Sequence, residues 1–107
     1  MKIATKVFEW DDPNAGAGVA SFYVYYRKVE EGEPPVFGYD DPHLVVPAVQ
    51  GQPTYSLELP GSIPLTEGVW ALGLAAADPE GNISDIVVLL RPFDFTAPAA
   101  PENLRVR

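Results

Sequence analysis

Cysteine is absent from the 107 residues and histidine occurs once, as His43. Their absence removes thiol nucleophiles, disulfide frameworks, structural zinc sites and any His-based metal cage within one chain. Positive charge is scarce as well: seven Lys and Arg stand against fifteen Asp and Glu, a formal charge of −8. A field of that sign repels nucleic acid and anionic membranes, so polyanion binding is disfavoured. The longest apolar runs, 69–77 and 86–90, fall well short of the ~18 residues a membrane-spanning helix needs. The opening MKIATKVFEW places Lys6 and Glu9 where a signal peptide requires an unbroken apolar stretch, and no small-residue cleavage site follows. An extracellular or cell-surface location is therefore expected only if the chain belongs to a larger exported protein.

What is plentiful is turn-forming residues, 12 Pro and 9 Gly. Long helices are nearly excluded, and breakers such as Asp11-Asp12-Pro13-Asn14, Glu31-Gly32-Glu33-Pro34-Pro35 and Asp78-Pro79-Glu80-Gly81-Asn82 separate strand-like runs. Residues 18–28 are rich in aromatic and β-branched types without a helical stripe. A period of two puts Phe22, Val24 and Tyr26 on one face and Tyr23, Tyr25 and Arg27 on the other. Residues 54–59 alternate Tyr55, Leu57 and Leu59 with polar positions. Residues 68–77 alternate by size, with Trp70, Leu72, Leu74 and Ala76 opposite Ala71, Gly73 and Ala75. Residues 86–90 form a short apolar run. Strands so spaced indicate an all-β, two-sheet antiparallel sandwich. The expected core is Phe8, Trp10, Phe22, Val24, Tyr26, Tyr55, Leu57, Leu59, Trp70, Leu72, Leu74, Ala76, Val87 and Leu89.

The stretches Val7-Phe8-Glu9-Trp10, Phe22-Tyr23-Val24-Tyr25-Tyr26-Arg27, Trp70 to Asp78, and Asp78-Pro79-Glu80-Gly81-Asn82-Ile83-Ser84 occur in an order and spacing that resembles a fibronectin type III domain of bacterial or phage type. The resemblance covers residues 2–95. It implies an immunoglobulin-like sandwich of about six to seven strands with Trp10 at the core. Trp70 stands where the family carries a corner Tyr, which puts the usual corner hydrogen bond in question. The family's opening Pro-x-x-Leu-x-Val segment has no counterpart before Trp10; Pro101-Glu102-Asn103-Leu104-Arg105-Val106 matches it instead. Residues 1–95 are thus read as the sandwich, and 96–107 as a Pro-rich linker with a strand-like tail resembling the start of a next module. One reading makes the chain part of a tandem array. Another has the tail, through Asn103, Leu104 and Val106, supply an edge strand to a second copy.

Catalysis finds little support. The pairs Asp11/Asp12, Glu30/Glu31 and Asp40/Asp41 are adjacent loop residues of the kind usually solvated, and His43 has no Ser or Cys in a nucleophile motif. No cofactor or metal is expected: Asp11, Asp12 and Asn14, and Asp78, Glu80 and Asn82, lie in loops whose spacing is not that of a dedicated calcium motif. Asn82-Ile83-Ser84 fits a glycosylation acceptor but coincides with the turn. Tyr23, Tyr25 and Tyr39 form a candidate partner or glycan surface, the alternative being cross-strand packing beneath the 30–35 loop. The expected function is a non-catalytic module, a spacer or protein-interaction and assembly unit of a larger surface, secreted or virion protein. The alternative is a carbohydrate-binding accessory module of a polysaccharide-degrading enzyme.

Overall fold

The computed structural model describes residues 4–13, 17–29, 36–63, 65–89, 93–101 and 105–106. Among them all regular structure is β, in seven strands: β1 (Lys6–Asp11), β2 (Ser21–Lys28), β3 (His43–Pro47), β4 (Thr54–Leu59), β5 (Val69–Ala77), β6 (Val87–Val88) and β7 (Phe93–Asp94). Strands β1 and β4 form a two-stranded antiparallel sheet. The second sheet has the order β3-β2-β5-β6, with β7 also hydrogen-bonded to β5. The expected all-β class is what the chain adopts, with a sandwich-like core between the two sheets.

The register explains which residues fill that core. Trp10 lies directly opposite Tyr55 and Phe8 opposite Leu57, so the inward positions of β1 and β4 coincide. Trp10 stacks on Tyr55 with ring centres 5.6 Å apart and planes within 10°. From the facing sheet Phe22 meets the Trp10 ring edge-on at 5.6 Å and the Tyr55 ring at 4.8 Å. Val24, Leu59 and Leu72 are completely buried around this aromatic cluster. Each such side chain contributes about 1.5–3 kcal/mol on burial, which lets the core stand without disulfides.

Most expected core positions lie in this cluster, six of them (Tyr26, Leu57, Trp70, Leu74, Ala76 and Leu89) at its half-buried margin. Val87 does not: it is 70% exposed. Strand β6 is two residues long and stands at the sheet's edge beside an open groove, so Val87 has nothing packed over it. Conversely, Ile63 and Phe95 are core residues that no strand pattern marked, because both sit in connecting chain. Strand β3 was also not marked; its run His-Leu-Val-Val-Pro follows a Pro-rich turn and shows no clear alternation.

Candidate interaction surfaces

Around Tyr25 and Gly73 the outer face of the larger sheet is covered by its own chain. Tyr25 is 0% exposed. Its ring lies 4.8 Å from that of His43, its direct neighbour across β2 and β3, and 6.0 Å from Phe37. Side-chain bonds to backbone carbonyls help hold segment 36–42 over this face, beside the Tyr26 amide's bond to the Pro42 carbonyl at 3.3 Å. Tyr25 Oη donates to Tyr39 at 3.2 Å, Arg27 to Val36 at 3.1 Å, and Tyr39 Oη to Ser84 at 3.1 Å. Desolvation, followed by the nearby Tyr23, Tyr39, Asp40 and Asp41, pushes the Tyr25 phenol above its ordinary value. The size alternation of β5 acquires its meaning here: a Cβ on Gly73 would stand 2.9 Å from Ile86 Cγ2 and 3.0 Å from Phe37 Cδ2, so only a residue without a side chain admits the cover.

Of the proposed aromatic surface, Tyr25 is therefore beneath the cover and out of reach of a partner. Tyr23 is half-buried against His43, with ring centres 4.8 Å apart, and Tyr39 is 46% exposed. His43 Nδ1 donates to the Asp41 carbonyl at 2.7 Å, which fixes its ring as a structural strut. The cover is segment 36–42; residues 30–35 lie outside the described residues.

The acidic loops are likewise committed to backbone work. The Asp78 carboxylate accepts from the amides of Glu80 at 3.0 Å and Asn82 at 2.8 Å, and from the Asn82 side chain at 2.9 Å. These bonds, the Asn82 side chain foremost, hold its carboxyl below the usual carboxylate range, and Gly81 takes the positive φ of 91° that the turn requires. Asp11 accepts from Thr54 Oγ1 at 3.2 Å. Asn14 lies outside the described residues, and among those described no group of three or more His, Cys, Asp or Glu is placed to hold a metal ion.

The Trp70 indole also bonds the backbone. Trp70 Nε1 donates to the Thr66 carbonyl at 2.9 Å, four residues upstream.

The second surface is a groove of about 500 Å³ between β1 and β6, lined by Phe8, Glu9, Trp10, Leu74, Val87 and Leu89 among others. Strand β1 is the last strand of its sheet, for among the described residues only β4 pairs with it. Trp10 is 8% exposed, yet its buried Nε1 has no hydrogen-bond partner among the described residues. The polypeptide leaves the body at the Lys6 end of β1, where Lys6 Nζ donates to the Asp94 carbonyl at 2.6 Å. Beyond it residues 96–101 form no strand and all but Ala97 are exposed. Of the tail residues singled out, Val106 is fully exposed, while Asn103 and Leu104 lie outside the described residues.

No family model, curated protein or solved structure matches this chain. Functional inference therefore rests on its own residues.

Proposed function

We propose that this chain is a non-catalytic sandwich module of the fibronectin type III kind, acting as a spacer and assembly unit. The observation that carries the reading is the pairing of β1 with β4 on one side and the order β3-β2-β5-β6 on the other, with Trp10 at the centre of the shared aromatic cluster. The resemblance set Trp10 at that place. A structural role also agrees with the chemistry of the polar groups. The carboxylates of Asp78, Asp94 and Asp11 bond turn and strand partners, and His43 is tied to the Asp41 backbone. An assembly role agrees with the uncovered β1 edge, since an unpaired strand edge is a template for another strand.

Sedimentation velocity on the chain from low to high micromolar concentration tests this reading, paired with a polysaccharide panel followed by Tyr and Trp fluorescence. Mass that grows with concentration and fluorescence indifferent to every glycan are expected. A single monomeric species whose fluorescence shifts with a glycan would overturn the proposal in favour of a carbohydrate-binding module.

A further inference from the structure

We infer that β1 pairs antiparallel with β1 of a second copy across a two-fold axis, Phe8 opposite Phe8 and Glu9 opposite Val7, so that the two small sheets join into one. The inference rests on the assembly reading above and names its contact.

The first ground is where free backbone groups remain. The Asp12 amide donates to the Pro53 carbonyl at 2.8 Å. By the alternation of an antiparallel ladder, Phe8 and Trp10 therefore also turn their backbone groups toward β4. The amides and carbonyls of Val7, Glu9 and Asp11 point the other way, out of the edge, where no described group bonds them. The other strand edges offer less. On β4 the outward carbonyls of Thr54 and Glu58 accept from Gln52 Nε2 and the Ser62 amide, both at 3.0 Å. On β3 the Tyr26 amide reaches the Pro42 carbonyl, which turns His43, Val45 and Pro47 outward, and Pro47 has no amide to offer. Strands β6 and β7 are two residues long. A second copy that adds edge to edge thus meets the first through β1 on both sides, and identical patches facing each other close at two chains.

The second ground is charge and fit. For both copies to keep their inner faces on one side, opposed positions must both point inward or both outward. Two registers do so while keeping five of the six β1 residues opposed. One sets Glu9 against Glu9, a like-charge pair that is destabilising. The other sets Phe8 against Phe8, Glu9 against the exposed Val7, and Asp11 against the exposed Thr5. Asp11 already has such a partner across β4, where it accepts from Thr54 Oγ1 at 3.2 Å. Every carboxylate of the edge then faces an uncharged residue. A two-fold axis perpendicular to the joined sheet also turns the two apolar grooves toward each other, since each lies between β1 and β6. Val87, 70% exposed in the single chain, is thereby brought to the seam, where its apolar area leaves water.

Because the chain has no cysteine, a disulfide reports the register, and Val7 and Glu9 point outward, so replacing them spares the core. A hydrogen-bonded opposed pair has Cα atoms about 5.5 Å apart, within disulfide reach. Val7→Cys and Glu9→Cys chains mixed under mild oxidation should give a heterodimer linking positions 7 and 9. It should form in several-fold excess over either homodimer and over pairs with an exposed Ser56→Cys control. Charge gives an independent reading. Val7→Lys sets a cation opposite Glu9 twice per dimer, so in sedimentation velocity it should dimerise at several-fold lower concentration than the unaltered chain. Val45→Lys, at a β3 position also 51% exposed, should change little. Equal cross-linking of all pairs would overturn the inference, as would a shift as large in Val45→Lys as in Val7→Lys. A Glu9→Cys homodimer in excess would overturn it through the register. Mass that grows with concentration without the heterodimer excess would overturn it and leave the assembly reading standing, whereas a chain monomeric throughout would remove both.

Discussion

The Tyr55 hydroxyl engages both backbone groups of Val49, accepting from the amide at 2.9 Å and donating to the carbonyl at 3.2 Å. A ring stacked against Trp10 in the core thereby pins the connection between β3 and β4. Removing only the hydroxyl, in Tyr55→Phe, should cost about 1 kcal/mol, the net worth of bonds whose Val49 groups can turn to water. Urea unfolding measures the loss, and amide exchange at Val49 should quicken while β1 keeps its protection.

In the core Trp10 touches the rings of Phe8, Phe22 and Tyr55. Trp10→Ala should destabilise by about 3–5 kcal/mol and leave a chain close to unfolding. Trp10→Phe keeps apolar contact and deletes the orphaned N–H, so it should lose distinctly less. Equal losses in the two variants, measured by chemical denaturation, would show that the indole is not packed as described.

Gly73 tests the cover over the outer face. Gly73→Ala forces a methyl against Ile86 and Phe37 and should cost about 1–3 kcal/mol, the usual effect of overpacking. Phe37→Ala in the same chain should recover part of that loss. A double-mutant cycle measures the coupling, and strict additivity would mean that Phe37 does not lie over Gly73.

Much of this arrangement was legible in the residues. The aromatic run of β2 and the alternation of β4 marked their strands because one face of each is wet or turned outward, and Phe22's place in the core followed from period two, whereas Trp10's came from the resemblance. The second buried layer was not, because its cover comes from segment 36–42, irregular chain whose Phe37 and Tyr39 carry no periodic signal. The small residues Ala71, Gly73 and Ala75 were the sign of it: a run of small side chains marks a face against which something packs closely. Phe95 and Ile63 escaped for a related reason, since a core residue in a loop has no neighbours two positions away to betray it.

Two ionisable groups give opposite pH signatures. Tyr25 has its folded value raised, chiefly by burial, so its contribution to stability is complete below the ordinary tyrosine value of about 10 and is lost as pH rises from there through the raised value. Tyr25→Phe should flatten that alkaline decline in thermal midpoint. Asp78 has its folded value lowered by Asn82 and the turn amides. Its contribution is present above the ordinary carboxylate value of about 3.9 and fades as pH falls below it. Asp78→Ala should make the acid limb shallower and leave the alkaline limb unchanged.

The open β1 edge is tested most directly by residue-resolved hydrogen exchange of the β1 amides at two protein concentrations. Amides of Val7 to Asp11 that face β4 should be protected in both samples. The alternate amides, which face the groove, should exchange freely when dilute and slow severalfold when concentrated, as a second copy's strand covers them. Full protection of every β1 amide in the dilute sample, or no change between the two, would contradict an edge that serves for assembly.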